Sequence, residues 1–309
     1  MATGLAGQGL QAKLRWVAVG LRGFFHSRVS ILSEYLYPPR VRERRRAELY
    51  IISYPKTGRT WLRMMLKSAL HQHLDVPRTD PLEFHELTQA DPRIPRISVV
   101  HDDEPHWKKP DQLTMDKHPW YGGKRVILII RDPRDTMVSL YLQMTRRWRV
   151  FIERQKSLHE FIWQERGAFK SMIRYYNIWA DNRHVPDSLL LVRYEDLHRE
   201  PVRQLERALQ FVGVAEVPQA TIEAAVEENR IERVRAREQT SEYDTYRLQP
   251  GIPGDPESLK ARRGKVGGYV DYLDRADSEV MARVTCDQLD PWYGYRKLMQ
   301  QPLRSHGLD

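Results

Sequence analysis

Cysteine is all but missing: Cys286 is the single one in 309 residues. One thiol excludes an internal disulfide and a thiolate-rich zinc site, and it fits a reducing compartment, so the expected location is the cytoplasm. Long apolar runs are missing as well. No uncharged stretch approaches the ~20 residues that a membrane helix needs. Arg15 and Arg22 break the N-terminal apolar run, and no small-residue cleavage site follows, so a secretory leader is not expected. No repeat with a fixed period recurs. Two familiar nucleotide signatures are also absent: no Gly, four residues, Gly-Lys-Ser/Thr loop, and no Gly-x-Gly-x-x-Gly after a strand.

What is present is a globular composition. The hydrophobic share of 41% is enough to fill a core, which excludes wholesale disorder. The net charge is +9, and residues 1–48 hold nine Lys and Arg against three Glu, so most of the basic excess sits there. A basic segment favours anionic surfaces. From Leu10 to Tyr37 the pattern is helical, with Leu14, Val17, Leu21, Phe24 and Phe25 near one face and Trp16 beside them. Such a segment reads in two ways: peripheral membrane contact through residues 10–46, or packing on the body or a second subunit. Pro38 and Pro39 end it, and Arg40–Arg46 reads as a charged linker. The expected organisation is an N-terminal basic amphipathic extension over 1–47, one domain over 48–300 and a tail over 301–309.

In the body, β-rich runs alternate with helical stretches. Leu49–Tyr54, Arg96–His101, Arg125–Ile130 and Ser188–Tyr194 read as strands. Arg125–Ile130 is continuously apolar after its first residue, as a parallel strand buried on both faces requires. Helices are expected from Thr60, which would cap the first one, from Pro133 through Arg149, in two stretches over 157–183, and over 201–212, 219–238 and 277–290. Residues 75–95 and 241–268 read as loops. The fold class is therefore α/β: a single domain with a central parallel sheet flanked by helices, plus an N-terminal helical extension.

The segment Tyr54-Pro55-Lys56-Thr57-Gly58-Arg59-Thr60-Trp61 lies between a buried strand and an amphipathic helix. There, free backbone N–H groups can cradle an anion. Gly58 allows close approach, Lys56 supplies a point charge, and Thr57 and Thr60 supply hydroxyls. This loop closely resembles the 5′-phosphosulfate loop of the sulfotransferases that use 3′-phosphoadenosine 5′-phosphosulfate, which usually reads Tyr-Pro-Lys-Ser-Gly-Thr-Thr-Trp. Three further segments match in order. Arg131-Asp-Pro-Arg-Asp-Thr-Met-Val-Ser139 resembles the 3′-phosphate segment, Tyr194-Glu-Asp-Leu197 the Tyr-Glu-Asp segment, and Arg262-Arg-Gly-Lys-Val-Gly-Gly-Tyr269 the late Arg-Lys-Gly element. The resemblance spans about residues 49–298.

The resemblance implies a P-loop-NTPase-like sulfotransferase fold and in-line transfer of a sulfuryl group to an acceptor hydroxyl or amine. The donor would be 3′-phosphoadenosine 5′-phosphosulfate, with no metal. Lys56 would stabilise the leaving phosphate. Thr57, Gly58, Arg59, Thr60, Trp61, Arg131, Ser139, Tyr194, Arg262, Arg263 and Gly264 would hold the donor. His101, at a strand end, is the candidate base, with Asp102 and Asp103 as residues that could orient it or replace it. This chain departs from the family at Val99, where a second lysine is usual, at Arg59, and at Gly268-Tyr269. A small molecule, a lipid or a glycan all fit as acceptor; nucleic acid does not. The runner-up is a nucleotide-dependent phosphotransferase on the same type of fold.

Overall fold

Four short apolar segments set the architecture: β1 (Leu49–Ser53), β2 (Ile97–Val100), β3 (Arg125–Ile130) and β4 (Ser188–Arg193). They pair in parallel in the order β2-β1-β3-β4. The computed structural model describes residues 44–299 apart from 77–79, 215, 241 and 244. The helix expected over 10–37 and the tail over 301–309 thus lie outside the described residues.

The period of two along each strand divides the core between two faces. Tyr50, Ile52, Val126, Leu128 and Ile130 pack on one side with Met137, Phe169, Met172, Tyr176 and Trp179. Leu49, Ile51, Ile127 and Ile129 pack on the other with Leu62, Met65, Leu66, Leu205 and Leu209. Helices supply these partners: α1 (Arg59–Leu74), α2 (His85–Ala90), α3 (His118–Tyr121), α4 (Pro133–Leu142), α5 (Leu158–Trp163), α6 (Phe169–Asp181), α7 (Tyr194–Arg199), α8 (Pro201–Val212), α9 (Gln219–Glu228), α10 (Ile231–Gln239), α11 (Arg275–Gln288) and α12 (Tyr295–Met299). The result is the expected parallel sheet flanked by helices. A third, smaller cluster of Met64, Leu82, Val234, Tyr243, Leu248 and Ala261 ties α1 and α10 to the segment that follows them.

The differences from the expected elements have local causes. The first helix starts at Arg59 rather than at Thr60, because Gly58 takes the N-cap position. The helix from Pro133 stops at Leu142 and continues as a π-turn over Gln143–Arg147. The stretch 219–238 is two helices, broken at Asn229 and Arg230. Residues 75–95 contain a short helix, α2, anchored by buried Phe84 and Leu87. The end of the charged linker is packed on the body: the Tyr50 hydroxyl donates to the Arg44 carbonyl at 2.5 Å, and the Arg44 guanidinium lies 4.3 Å from the Trp120 ring centroid.

In a sheet of this order the chain leaves β1 toward one edge and β3 toward the other. The crevice beyond the carboxyl ends of β1 and β3 is then the natural ligand site. That geometry depends on the centre of the sheet. Ile127→Ala, which removes a fully buried side chain from β3, is expected to cost about 2–5 kcal/mol. Urea unfolding measures this, and a loss below about 1 kcal/mol would mean that β3 is not the structural centre.

Candidate active site

The loop after β1 is built by backbone conformation. Lys56 and Gly58 both take positive φ, 71° and 95°. At Gly58 a Cβ would sit 2.5 Å from Cδ2 of Tyr194, so only glycine fits both the dihedral and the space. The Gly58 carbonyl accepts from Trp61 and Leu62 N–H at 3.0 and 3.2 Å. Among the described residues nothing accepts from the amides of Gly58, Arg59 and Thr60. They form a row of open donors at the positive end of α1. The Thr57 hydroxyl corrects an expectation: it is fully buried against the carbonyls of Tyr54 and Ile129, at 3.0 and 3.2 Å, and does not face the crevice. Lys56 Nζ donates to Gln143 Oε1 at 3.2 Å. Burial lowers its pKa to about 7, with Arg147 adding repulsion and Glu238 partly opposing it.

Arg131 follows β3. Its Nη1 donates to the Lys56 carbonyl at 3.3 Å and to Ser139 Oγ at 3.4 Å, and its Nη2 to the Lys265 carbonyl at 3.0 Å. Its guanidinium stacks 4.1 Å from the Tyr194 ring centroid and lies 3.4 Å from Asp135. The Arg131 Nε is buried with no partner, an orphan donor that an anion would satisfy. Asp132 caps α4 by accepting from the Arg134 amide at 2.9 Å. Glu195 accepts from the Asp132 amide and from the Tyr295 hydroxyl, each at 2.8 Å, and burial pushes its carboxyl up to about 7. Trp61, Tyr194 and His198 form a ring cluster, with Trp61 6.1 Å from Tyr194. The Trp61 indole donates to the Asn229 carbonyl at 2.7 Å, where α9 and α10 part.

The late segment is tied down through carboxylates. Asp135 accepts from the amides of Gly267 and Tyr269 at 2.8 and 2.9 Å. Arg262 pairs with Glu257 at 3.2 Å, and Arg263 with Asp271. Gly264 has φ 61°, and a Cβ there would meet Ile231 Cγ1 at 2.4 Å.

His101 lies just beyond β2. Its Nδ1 is 3.0 Å from the Ser53 carbonyl, and its Nε2 is 2.8 Å from Arg59 Nη2. A carbonyl only accepts and a guanidinium only donates, so Nδ1 carries the proton and Nε2 is the basic atom. Burial, then Arg59 and His106, hold the imidazole well below its ordinary pKa, which keeps it neutral. The two neighbouring aspartates face elsewhere. Asp102 is buried against Tyr121 OH, Trp179 Nε1 and Lys117 at 2.6, 3.1 and 2.8 Å. Asp103 takes the Thr114 amide at 2.6 Å and pairs with Lys108. Neither is hydrogen-bonded to the His101 ring, whose partners are the Ser53 carbonyl and Arg59.

Lys56, Gly58, Arg59, Thr60, Trp61, His101, Arg131, Ser139, Tyr194, Arg262, Arg263 and Gly264 all line one cleft. Sequence reasoning missed Gln143, Lys260 and the buried Arg147–Glu238 pair at 2.8 Å, which line the same cleft. Of the aromatics between residues 148 and 163, Trp148 lines the cleft, Phe161 is buried, Trp163 donates to Asp277 and Phe151 is exposed. No three His, Cys, Asp or Glu converge as metal ligands among the described residues.

A profile of the sulfotransferase domain matches residues 46–293. The chain belongs to the sulfotransferase family. Cytosolic sulfotransferase 16 of Arabidopsis thaliana is 22% identical over 299 residues, covering 87% of this chain and 80% of the relative. The 3-alpha-hydroxysteroid sulfotransferase of Cavia porcellus is 22% identical over 250 residues, covering 75% of this chain and 80% of the relative. In structure, this sulfotransferase is similar to mouse sulfotransferase SULT7A1 complexed with PAP, with a TM-score of 0.57, 15% identity, and coverage of 82% of this chain and 88% of that one.

Because Asp102 is a buried charge with three close partners, its loss strands Lys117. Asp102→Ala in the sulfotransferase should lower stability by about 3–5 kcal/mol. The check is the shift in the denaturation midpoint; full stability with lost activity would instead make Asp102 a participant in the reaction.

Proposed function

We propose that the cleft binds 3′-phosphoadenosine 5′-phosphosulfate and transfers its sulfuryl group in line to the hydroxyl of a small, largely apolar acceptor. One observation carries this reading: two anion-binding groups flank one pair of rings in a single cleft. The open amides of Gly58–Thr60 with Lys56 suit the phosphosulfate. Arg131, with its orphan Nε, Ser139 and the Arg262–Gly264 turn suit the 3′-phosphate. Trp61 and Tyr194 give the adenine flat walls. Met64, Leu142, Trp148, Leu248 and Leu259 add apolar lining to the cleft, which favours a small lipophilic alcohol or phenol over a glycan. The steroid named in one relative is of this class. The cytosolic relative supports a cytoplasmic setting, and among the described residues no helix is long and apolar enough to cross a membrane.

In this mechanism the chain's own cations supply charge stabilisation, and positioning does the rest. Lys56 lies beside the leaving phosphate, and His101 Nε2 takes the acceptor proton. Lys56 must be charged to act. Its lowered pKa of about 7 means that donor affinity in the free enzyme falls as pH rises through that value. An anionic donor pulls the pKa back up once bound.

Labelled donor with a panel of steroidal and phenolic alcohols tests the reaction. Lys56→Ala is expected to lose about 10²–10³ in turnover. In thermal shift, 3′-phosphoadenosine 5′-phosphate should stabilise the protein well above ATP. Equal stabilisation by ATP, with phosphoryl transfer from it, would favour a phosphotransferase and overturn the proposal.

A further inference from the structure

The cations of the cleft fall into two groups. Arg131, Arg147, Arg262, Arg263 and Lys265 each have a carboxylate partner, among Asp135, Glu238, Glu257 and Asp271. Lys56, Arg59 and Lys260 have no carboxylate within 4 Å among the described residues; their side chains meet Gln143, His101 and the Arg247 carbonyl. Arg59 is the outlier. Its Nη2 donates to the basic nitrogen of His101 at 2.8 Å, and its Nη1 is buried with no partner at all. Glu104 acts on it only from beyond ion-pair distance, and a buried guanidinium with spare donors and no paired carboxylate is built to receive an anion.

From the first position of α1 the Arg59 side chain reaches past the open amides to His101, on the acceptor side. We propose that Arg59 is a second catalytic cation, which binds the oxygens of the sulfuryl group in flight. This rests on the reaction proposed above. In the step, Arg59 Nη2 leaves His101 Nε2 as the acceptor hydroxyl arrives. The acceptor oxygen bonds to sulfur while the bond from sulfur to the phosphate oxygen breaks, and its electron pair stays on the phosphate. His101 Nε2 takes the acceptor proton and later releases it to solvent. Lys56 faces the leaving side and Arg59 the entering side, so charge spread over the transferred group meets a cation at each end.

The same contact sets the base. Four groups face His101: Arg59 from α1, His106 from the turn after β2, Lys260 from the late segment, and the Ser53 carbonyl of β1. Arg59 is the positive charge in direct contact, so removing it lets the imidazole hold its proton to higher pH.

The test uses Arg59→Thr and Arg59→Lys with the full chain. Arg59→Thr should keep 3′-phosphoadenosine 5′-phosphate binding by thermal shift, lose about 10²–10³ in kcat with neutral acceptors, and change acceptor KM little. Its acid limb in kcat/KM should move to higher pH. Arg59→Lys should recover part of the kcat, because it restores a charge without the fork. Unchanged kcat overturns the proposal. So does a loss confined to KM for carboxylate-bearing acceptors, which would make Arg59 an acceptor-recognition group. If Arg59→Thr does not fold, an Arg59→Lys enzyme with wild-type kcat and an unmoved acid limb overturns it as well. Failure of the underlying reading is seen separately, as wild-type protein that neither binds the donor product nor transfers label.

Discussion

A single buried guanidinium joins the parts that bound the cleft. Arg131 reaches the loop after β1 through the Lys56 carbonyl, α4 through Ser139, and the late segment through the Lys265 carbonyl. It covers the Tyr194 ring at the start of α7, and its own amide meets the Tyr176 hydroxyl of α6. Burial would lower its pKa, but Asp135, Tyr194 and Glu195 outweigh that and hold it above its ordinary value. Asp135 then fastens Gly267 and Tyr269, so one ion pair closes a segment distant in sequence over the crevice.

The sheet explains why these groups meet. β1 and β3 are neighbours in register, Ser53 opposite Ile129. Their ends therefore deliver the Lys56 loop and Arg131 to the same place. The tight Gly58–Tyr194 approach adds β4 to that meeting point. Charge follows the same plan. Arg131, Arg147, Arg262 and Arg263 are paired with carboxylates of the protein, whereas Lys56, Arg59 and Lys260 have none within 4 Å among the described residues.

Much of this was legible in the sequence because it depends on local pattern. Continuous apolar runs mark β1 and β3, and the loop residues between strand and helix mark the candidate anion site. Contacts set by long-range packing were not legible. Lys260 reads as one more loop lysine until the Arg147–Glu238 pair places its backbone: Glu238 accepts from the amides of Lys260 and Ala261 at 2.5 and 2.9 Å. Asp102 looked like a partner for His101 by proximity in sequence. Positive φ at Asp102, Asp103 and Glu104 turns it instead into the core beside Trp179. Thr57 carried the right hydroxyl, but the turn points it at the sheet.

The central claim is that the cleft is an anion site organised on Arg131. The most direct measurement is a calorimetric titration with 3′-phosphoadenosine 5′-phosphate and with adenosine 5′-phosphate, which lacks the 3′-phosphate, on wild type and on Arg131→Ala. A charge-assisted contact of about 1.5–3 kcal/mol corresponds to roughly 10–10²-fold in affinity. Wild type should prefer the 3′-phosphorylated ligand by that factor, and Arg131→Ala should bind the two ligands about equally to each other. The same preference in both proteins would contradict the account.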